Sequence, residues 1–151
     1  MSCVGILLGS GLGAFADSLE QRFETPYLEI AGWPASTAIG HAGKLVTGQL
    51  AGIDVMVLSG RAHYYEGYSA SQVVFGVREL ARRGVEHIII TNAAGAINPD
   101  YRPGELVLIS DHINLMGVNP LTGPNATGPN GELLGPRFPD MSEAYSLEYR
   151  E

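Results

Sequence analysis

The run Val4-Gly5-Ile6-Leu7-Leu8 has no polar side chain and is closed at once by Gly9-Ser10-Gly11-Leu12-Gly13. A strand with one face in water alternates apolar and polar residues. A continuous short apolar run closed by glycines therefore reads as a strand buried on both faces, followed by a tight turn. Such a strand needs cover above and below, which restricts the chain to layered folds.

The other elements say which layers. Lys44–Leu50 and Ile53–Ser59 flank Ala51-Gly52, a spacing and composition that predict an antiparallel hairpin. From Ser69 or Ser71 as N-cap, Val73, Val74, Val77, Leu80 and Ala81 recur at helical spacing until Arg82, Arg83 and Gly84 close the helix. Val85–Thr91 and Glu105–Ser110 read as further strands, and the strand-helix-strand order over 53–91 predicts a right-handed parallel crossover. The class is α/β, with a mixed, largely parallel sheet flanked by helices. A helix is expected to start over Ala14 to Glu20. Pro26 to Ala42, rich in breakers, reads as an irregular connection with one short strand at most, in which Trp33 is a packing anchor.

Residues 117–139 hold most of the prolines and read as a long irregular loop, the kind compact domains keep for binding or leave disordered. Asp140 or Ser142 is expected to cap a new helix containing Tyr145 and Leu147, and the chain stops inside it at Glu151. A helix without its packing partner predicts a fragment, or a truncated member, of something longer: a single incomplete domain over 1–151.

A chain of 151 residues that is 45% apolar and 17% charged suits one soluble domain. Its net charge of −7 disfavours nucleic acid and membrane surfaces as partners, since both call for a basic face. The lone Cys3 excludes an internal disulfide, and its apolar context predicts a buried, unreactive thiol. With no signal-like N-terminus and no run of membrane-spanning length, the expected compartment is the cytoplasm.

Against this acidic background, Gly60-Arg-Ala-His-Tyr-Tyr-Glu-Gly-Tyr68 follows a strand directly. Strand ends are where parallel sheets present ligands, and alternation along an extended segment puts Arg61 and His63 on one side, able to reach one anion. Glu66 is the candidate orienter of His63. The competing reading pairs Arg61 with Glu66 and makes His63 a hydrogen-bonded wall. Tyr64, Tyr65 and Tyr68 offer ring faces to a sugar or base, with at least one expected in the core.

The loop Gly9-Ser10-Gly11 can cradle an anion at a helix start or be a tight turn with no ligand. With Ala14 and Glu29 it also meets a loose dinucleotide fingerprint, a third reading. Asn92-Ala93-Ala94-Gly95, all small after the Asn, lets a ligand lie on backbone N–H groups, or a helix pack closely. His41 between glycines is a turn residue unless other groups join it, and His87 and His112 read as ordinary strand-end and loop residues. The four histidines have no close metal-binding spacing, so no metal site is expected.

Taken in order, Gly9-Ser-Gly-Leu-Gly13, Gly40-His-Ala-Gly43, Gly60-Arg-Ala-His-Tyr-Tyr-Glu-Gly-Tyr68, Thr91-Asn-Ala-Ala-Gly95, Asp111-His-Ile-Asn-Leu115 and Arg137-Phe-Pro139 resemble the trimeric purine nucleoside phosphorylases over nearly the whole chain. The methylthioadenosine phosphorylase branch is a poorer fit: it resembles Thr-Ala-Cys-Gly where this chain has Asn92-Ala-Ala-Gly95. The resemblance implies a phosphorylase-like, truncated α/β domain. It also implies reversible phosphorolysis of purine nucleosides to free base and ribose 1-phosphate, with inorganic phosphate as co-substrate and no other cofactor. It places Ser10, His41, Arg61, His63 and the backbone N–H of Ala93 around phosphate, Tyr65 against the ribose, and Phe138 in the sugar pocket of a neighbouring subunit in a homotrimer. The family's base-binding and protonating residues come from a later segment that this chain lacks, so these 151 residues are expected to be impaired alone. A non-catalytic phosphate- or sugar-binding or assembly module is the alternative.

Overall fold

In the computed structural model, residues 3–34, 43–128 and 130–151 are described. The chain divides into two compact units, Met1–Gly95 and Ala96–Glu151.

The first unit is built on a five-stranded sheet. Its strands are β1 (Cys3–Leu8), β2 (Glu20–Pro26), β3 (Lys44–Leu50), β4 (Ile53–Ser59) and β5 (Val85–Ile90), in the spatial order β2-β3-β4-β1-β5. β1 runs parallel to both neighbours, with Leu8 beside Ser59 and Leu7 beside Ile90. β2, β3 and β4 are joined by antiparallel pairings, so the sheet is mixed, half parallel and half antiparallel by pairing.

The period of two sorts the apolar side chains. Ile6, Leu8, Val46, Val55 and Val57 face one layer with Ala16 and Leu19, which belong to and follow a six-residue 3₁₀ segment, Gly13–Ser18. Leu7, Leu45 and Leu58 face the other, against Leu80, Tyr27 and Ile30. Adjacent residues of β1 thus enter different cores, and the prediction that this strand is buried on both faces holds.

The second layer is carried by α1 (Ala70–Val73) and α2 (Phe75–Arg82). Ser69 caps α1 as expected, its hydroxyl accepting from the Gln72 N–H while the Gln72 side chain returns to the Ser69 N–H. The single predicted helix breaks at Val74, where the two β-branched residues Val73 and Val74 crowd the turn. Gly76 then lets α2 approach the sheet closely, since a Cβ there would lie 2.8 Å from Leu58 Cδ1. Tyr27 stacks on Trp33 at 3.7 Å and Phe75 meets Trp33 edge-on, so Trp33 is the packing anchor the sequence suggested. Cys3 is half-buried, and burial raises its thiol above the ordinary value.

Two expectations about the sheet and its surroundings are overturned, and one strand was not foreseen. Ala14 to Glu20 forms the 3₁₀ segment and the start of β2 rather than an α-helix. β2 itself, Glu20–Pro26, was unforeseen: most of it is exposed, and it owes its state to the ladder with β3. Glu105–Ser110 is not a strand. It pairs with no neighbour among the described residues, and Leu106 is 96% exposed, so a strand-like composition without a ladder partner makes no strand.

In the second unit Asp140 caps an Asx turn rather than a helix. Its carboxylate accepts from the N–H and hydroxyl of Ser142, which holds its pKa below the ordinary value, and the only helical turn described there is Glu148–Arg150. The described residues of 117–139 are irregular as expected apart from an isolated bridge between Thr127 and Leu133, and Arg137 donates to the Gly123 carbonyl and to Asn125.

Two predictions follow from these contacts. Ala51 and Gly52 both have positive φ, 49° and 79°, the geometry of a two-residue hairpin turn that penalises an alanine. Ala51→Asn should raise the unfolding free energy by about 0.5–1 kcal/mol in urea titrations. The Tyr27 phenol is pushed well above its ordinary value by burial, so the folded state keeps its proton where the unfolded chain loses it. Its contribution should be complete below about pH 10 and decline as pH rises beyond that. In denaturation at stepped alkaline pH, Tyr27→Phe should lose part of this slope and about 1 kcal/mol at neutral pH.

Candidate functional site

The carboxyl ends of β1, β4 and β5 lie side by side, so the segments that follow them, from Gly9, Gly60 and Thr91, emerge together at one edge of the sheet. Register brings them there. Parallel strands about 4.8 Å apart deliver three loops into one space, and residues from 30 to 82 positions apart become neighbours.

Thr91 is the centre of that edge. Its hydroxyl donates to the Leu7 carbonyl at 2.9 Å and accepts from the Gly9 N–H at 2.7 Å. Its own N–H donates to the same Leu7 carbonyl at 3.0 Å, and its carbonyl accepts from Arg61 Nη1 at 2.9 Å. Gly9 must be glycine here, because a Cβ would sit 2.8 Å from the Thr91 carbonyl oxygen.

Arg61 and His63 do lie on one side of their extended segment, with Arg61 Nε 3.5 Å from His63 Nε2. Glu66 takes the orienting role expected of it. One carboxylate oxygen accepts from the His63 backbone N–H at 2.9 Å and lies 2.9 Å from His63 Nδ1. A carboxylate is an acceptor, so the neutral ring carries its proton on Nδ1 and turns the Nε2 lone pair towards the Arg61 Nε–H. The Glu66 side chain is 6% exposed, which shields this pair from water. Upstream, the Tyr27 hydroxyl donates to the Gly60 carbonyl at 2.8 Å and holds the start of the loop. One guanidinium N–H is given to Thr91 and Nε is directed to His63, and among the described residues the rest of the Arg61 fork can still meet an anion.

Of the sequence candidates, the structure brings Arg61, His63 and Glu66 into contact and sets the Ser10 and Ala93 loops at the same sheet edge. Ser10 and Ala93 are exposed there. Tyr65 stacks on His63 at 4.9 Å and is 81% exposed, and none of Tyr64, Tyr65 and Tyr68 is buried, contrary to the expectation of a core tyrosine. His41 lies outside the described residues. Phe138 belongs to the second unit, is 87% exposed and has the Arg137 guanidinium 5.8 Å from its ring centroid. His112 meets Tyr145 edge-on within the second unit.

The dinucleotide reading loses its support. Gly9-Ser10-Gly11 leads into 3₁₀ turn rather than an α-helix, and Glu29 follows β2, the edge strand separated from β1 by both β3 and β4. No group of three His, Cys, Asp or Glu able to hold a metal occurs among the described residues. Sequence reasoning missed Thr91 as a site residue, although it precedes a singled-out loop. It also missed Tyr27, whose position in a breaker-rich stretch carries no signal for a contact 33 residues away.

The sequence model of the phosphorylase superfamily matches residues 4–151. This chain belongs to that superfamily. Among its phosphorylase relatives, purine nucleoside phosphorylase 1 of Geobacillus stearothermophilus is 55% identical over 148 residues, covering 98% of this chain and 52% of the relative. The mouse purine nucleoside phosphorylase is 46% identical over 151 residues, covering 98% of this chain and 50% of the relative. Isoform 2 of the Schistosoma mansoni purine nucleoside phosphorylase, solved with cytosine and ribose-1-phosphate, superposes with a TM-score of 0.87 at 40% identity. That match covers 99% of this chain and 52% of the solved one. The resemblance read from the motifs is therefore met in sequence and in fold, and the chain spans about half the length of the curated relatives it matches.

The Glu66 to His63 contact can be tested directly. In long-range ¹H–¹⁵N spectra the neutral His63 ring should be predominantly the Nδ1–H tautomer. Glu66→Gln, whose amide can present NH₂ as well as oxygen, should shift that balance towards Nε2–H; identical tautomer populations in both proteins would count against the assignment.

Proposed function

We propose that this chain supplies the phosphate-binding part, and a portion of the sugar-binding part, of a purine nucleoside phosphorylase, as the N-terminal part of one incomplete phosphorylase domain. The observation that carries the reading is the convergence of the Gly9–Ser10 loop and Arg61 on Thr91 at the carboxyl edge of the parallel strands. Relatives named purine nucleoside phosphorylase, and a solved relative holding ribose-1-phosphate, support it.

The chemistry is reversible phosphorolysis. An oxygen of inorganic phosphate attacks the anomeric carbon of a purine nucleoside, the carbon–nitrogen bond breaks, and the purine leaves with a proton on its ring as ribose 1-phosphate forms. Arg61, Ser10 and the Ala93 N–H, with His41, would hold the phosphate dianion against the cationic character that develops in the sugar, while His63 Nε2, an acceptor in the neutral ring, would meet the hydroxyl of the hydrogen phosphate. Tyr65 would lie against the ribose and Phe138 would reach a neighbouring subunit's sugar pocket. The reaction requires no metal or organic cofactor. The setting proposed is purine salvage in the cytoplasm by a homotrimer, with this chain alone impaired.

The test is calorimetric. The chain should take up inorganic phosphate and ribose 1-phosphate, and Arg61→Ala should weaken phosphate binding by about 10- to 100-fold, the loss expected of a charge-assisted hydrogen bond. No heat with either ligand would sink the reading. Binding without phosphorolysis of inosine or guanosine would favour the non-catalytic module, whereas turnover comparable to a full-length relative would disprove the impairment.

A further inference from the structure

Thr91 carries no assigned role, yet it is bonded to both of the loops that the proposed phosphate site needs. We infer that Thr91 is a positioning residue: through its hydroxyl and its carbonyl it locks the glycine loop after β1 and the guanidinium of Arg61 into one fixed relation. The inference rests on the reading of this edge as a phosphate site and names the group that keeps its two halves in register.

The bond directions support it. The hydroxyl has one proton, and the Leu7 carbonyl at 2.9 Å, which offers no proton, must receive it. The lone pairs of the same oxygen are thereby turned to the Gly9 N–H, 2.7 Å away. Both backbone polar groups of Gly9 are then committed, the N–H to Thr91 and the carbonyl to the Leu12 N–H at 3.3 Å. Gly9 is thus a strut rather than an anion donor, and the residues that can meet an anion begin at Ser10. On the other side, the Thr91 carbonyl draws Arg61 Nη1 to 2.9 Å, so one corner of the guanidinium is anchored and its plane is set. The same carbonyl oxygen would lie 2.8 Å from any Cβ placed on Gly9, so the two loops meet at Thr91 with no room for adjustment.

A residue that only capped the strand would affect folding alone. Thr91→Val keeps the shape and removes the hydroxyl, leaving the Gly9 N–H without its acceptor; Thr91→Ser keeps the hydroxyl. Phosphate titration by calorimetry should show Thr91→Val weakened about tenfold, the loss expected of one hydrogen bond, and Thr91→Ser within about threefold of the parent. Exchange of the Gly9 amide proton should quicken, and the Arg61 side-chain resonances move, in Thr91→Val and not in Thr91→Ser.

Parent-like titration by Thr91→Val, or equal weakening by Thr91→Ser, overturns the inference. If the parent chain takes no phosphate, the functional reading falls separately, and unchanged Gly9 exchange and Arg61 resonances in Thr91→Val overturn the positioning role on their own. Should Thr91→Val fail to fold by circular dichroism, Thr91→Ala, which puts no methyl in the hydroxyl's place, is measured in the same way with the same outcomes.

Discussion

The first unit depends on a central strand that has no face in water. β1 sends Ile6 and Leu8 into one core and Leu7 into the other, and it is laddered on both sides by parallel neighbours. Burial at about 25 cal/mol per Å² rewards this only if both faces are covered and both backbone edges are paired. Cover comes from the 3₁₀ segment on one side and from α2 with the Tyr27–Trp33–Phe75 cluster on the other. Pairing comes from β4 and β5, and it has a chemical consequence: three chain segments leave the sheet at one edge.

Function is then a matter of what stands at those three exits. A guanidinium, a glycine loop and a run of small residues would each be unremarkable alone. Joined through Thr91 and flanked by the Glu66–His63 pair, they would form, in the proposed reading, a set of donors on an acidic chain, an arrangement that can select a single anion without a broadly basic surface. Tyr27 contributes from below, since its buried hydroxyl restrains Gly60 and so the direction in which Arg61 leaves the sheet.

Legibility followed the range of the forces involved. The hairpin at Ala51-Gly52, the cap at Ser69 and the strand Val85–Ile90 were readable because turn chemistry, capping and apolar runs are local. β2 was not, because Glu20–Pro26 has a polar, exposed composition and becomes a strand only by pairing with β3. Glu105–Ser110 failed in the opposite sense: its composition is that of a strand, but no ladder partner stands beside it among the described residues. A strand is a relation between segments, and propensity describes only one of them.

The same division holds for the site. From its residues alone, the sequence determined that Arg61 and His63 share a side, that Glu66 is placed to orient His63, and that small loops follow two of the strands, because alternation and spacing along a few residues suffice for each. Only the tertiary structure decided that Thr91 is the joint. Its partners Leu7, Gly9 and Arg61 lie 84, 82 and 30 positions away, and hydrogen bonds of that separation exist only after the parallel register has been set.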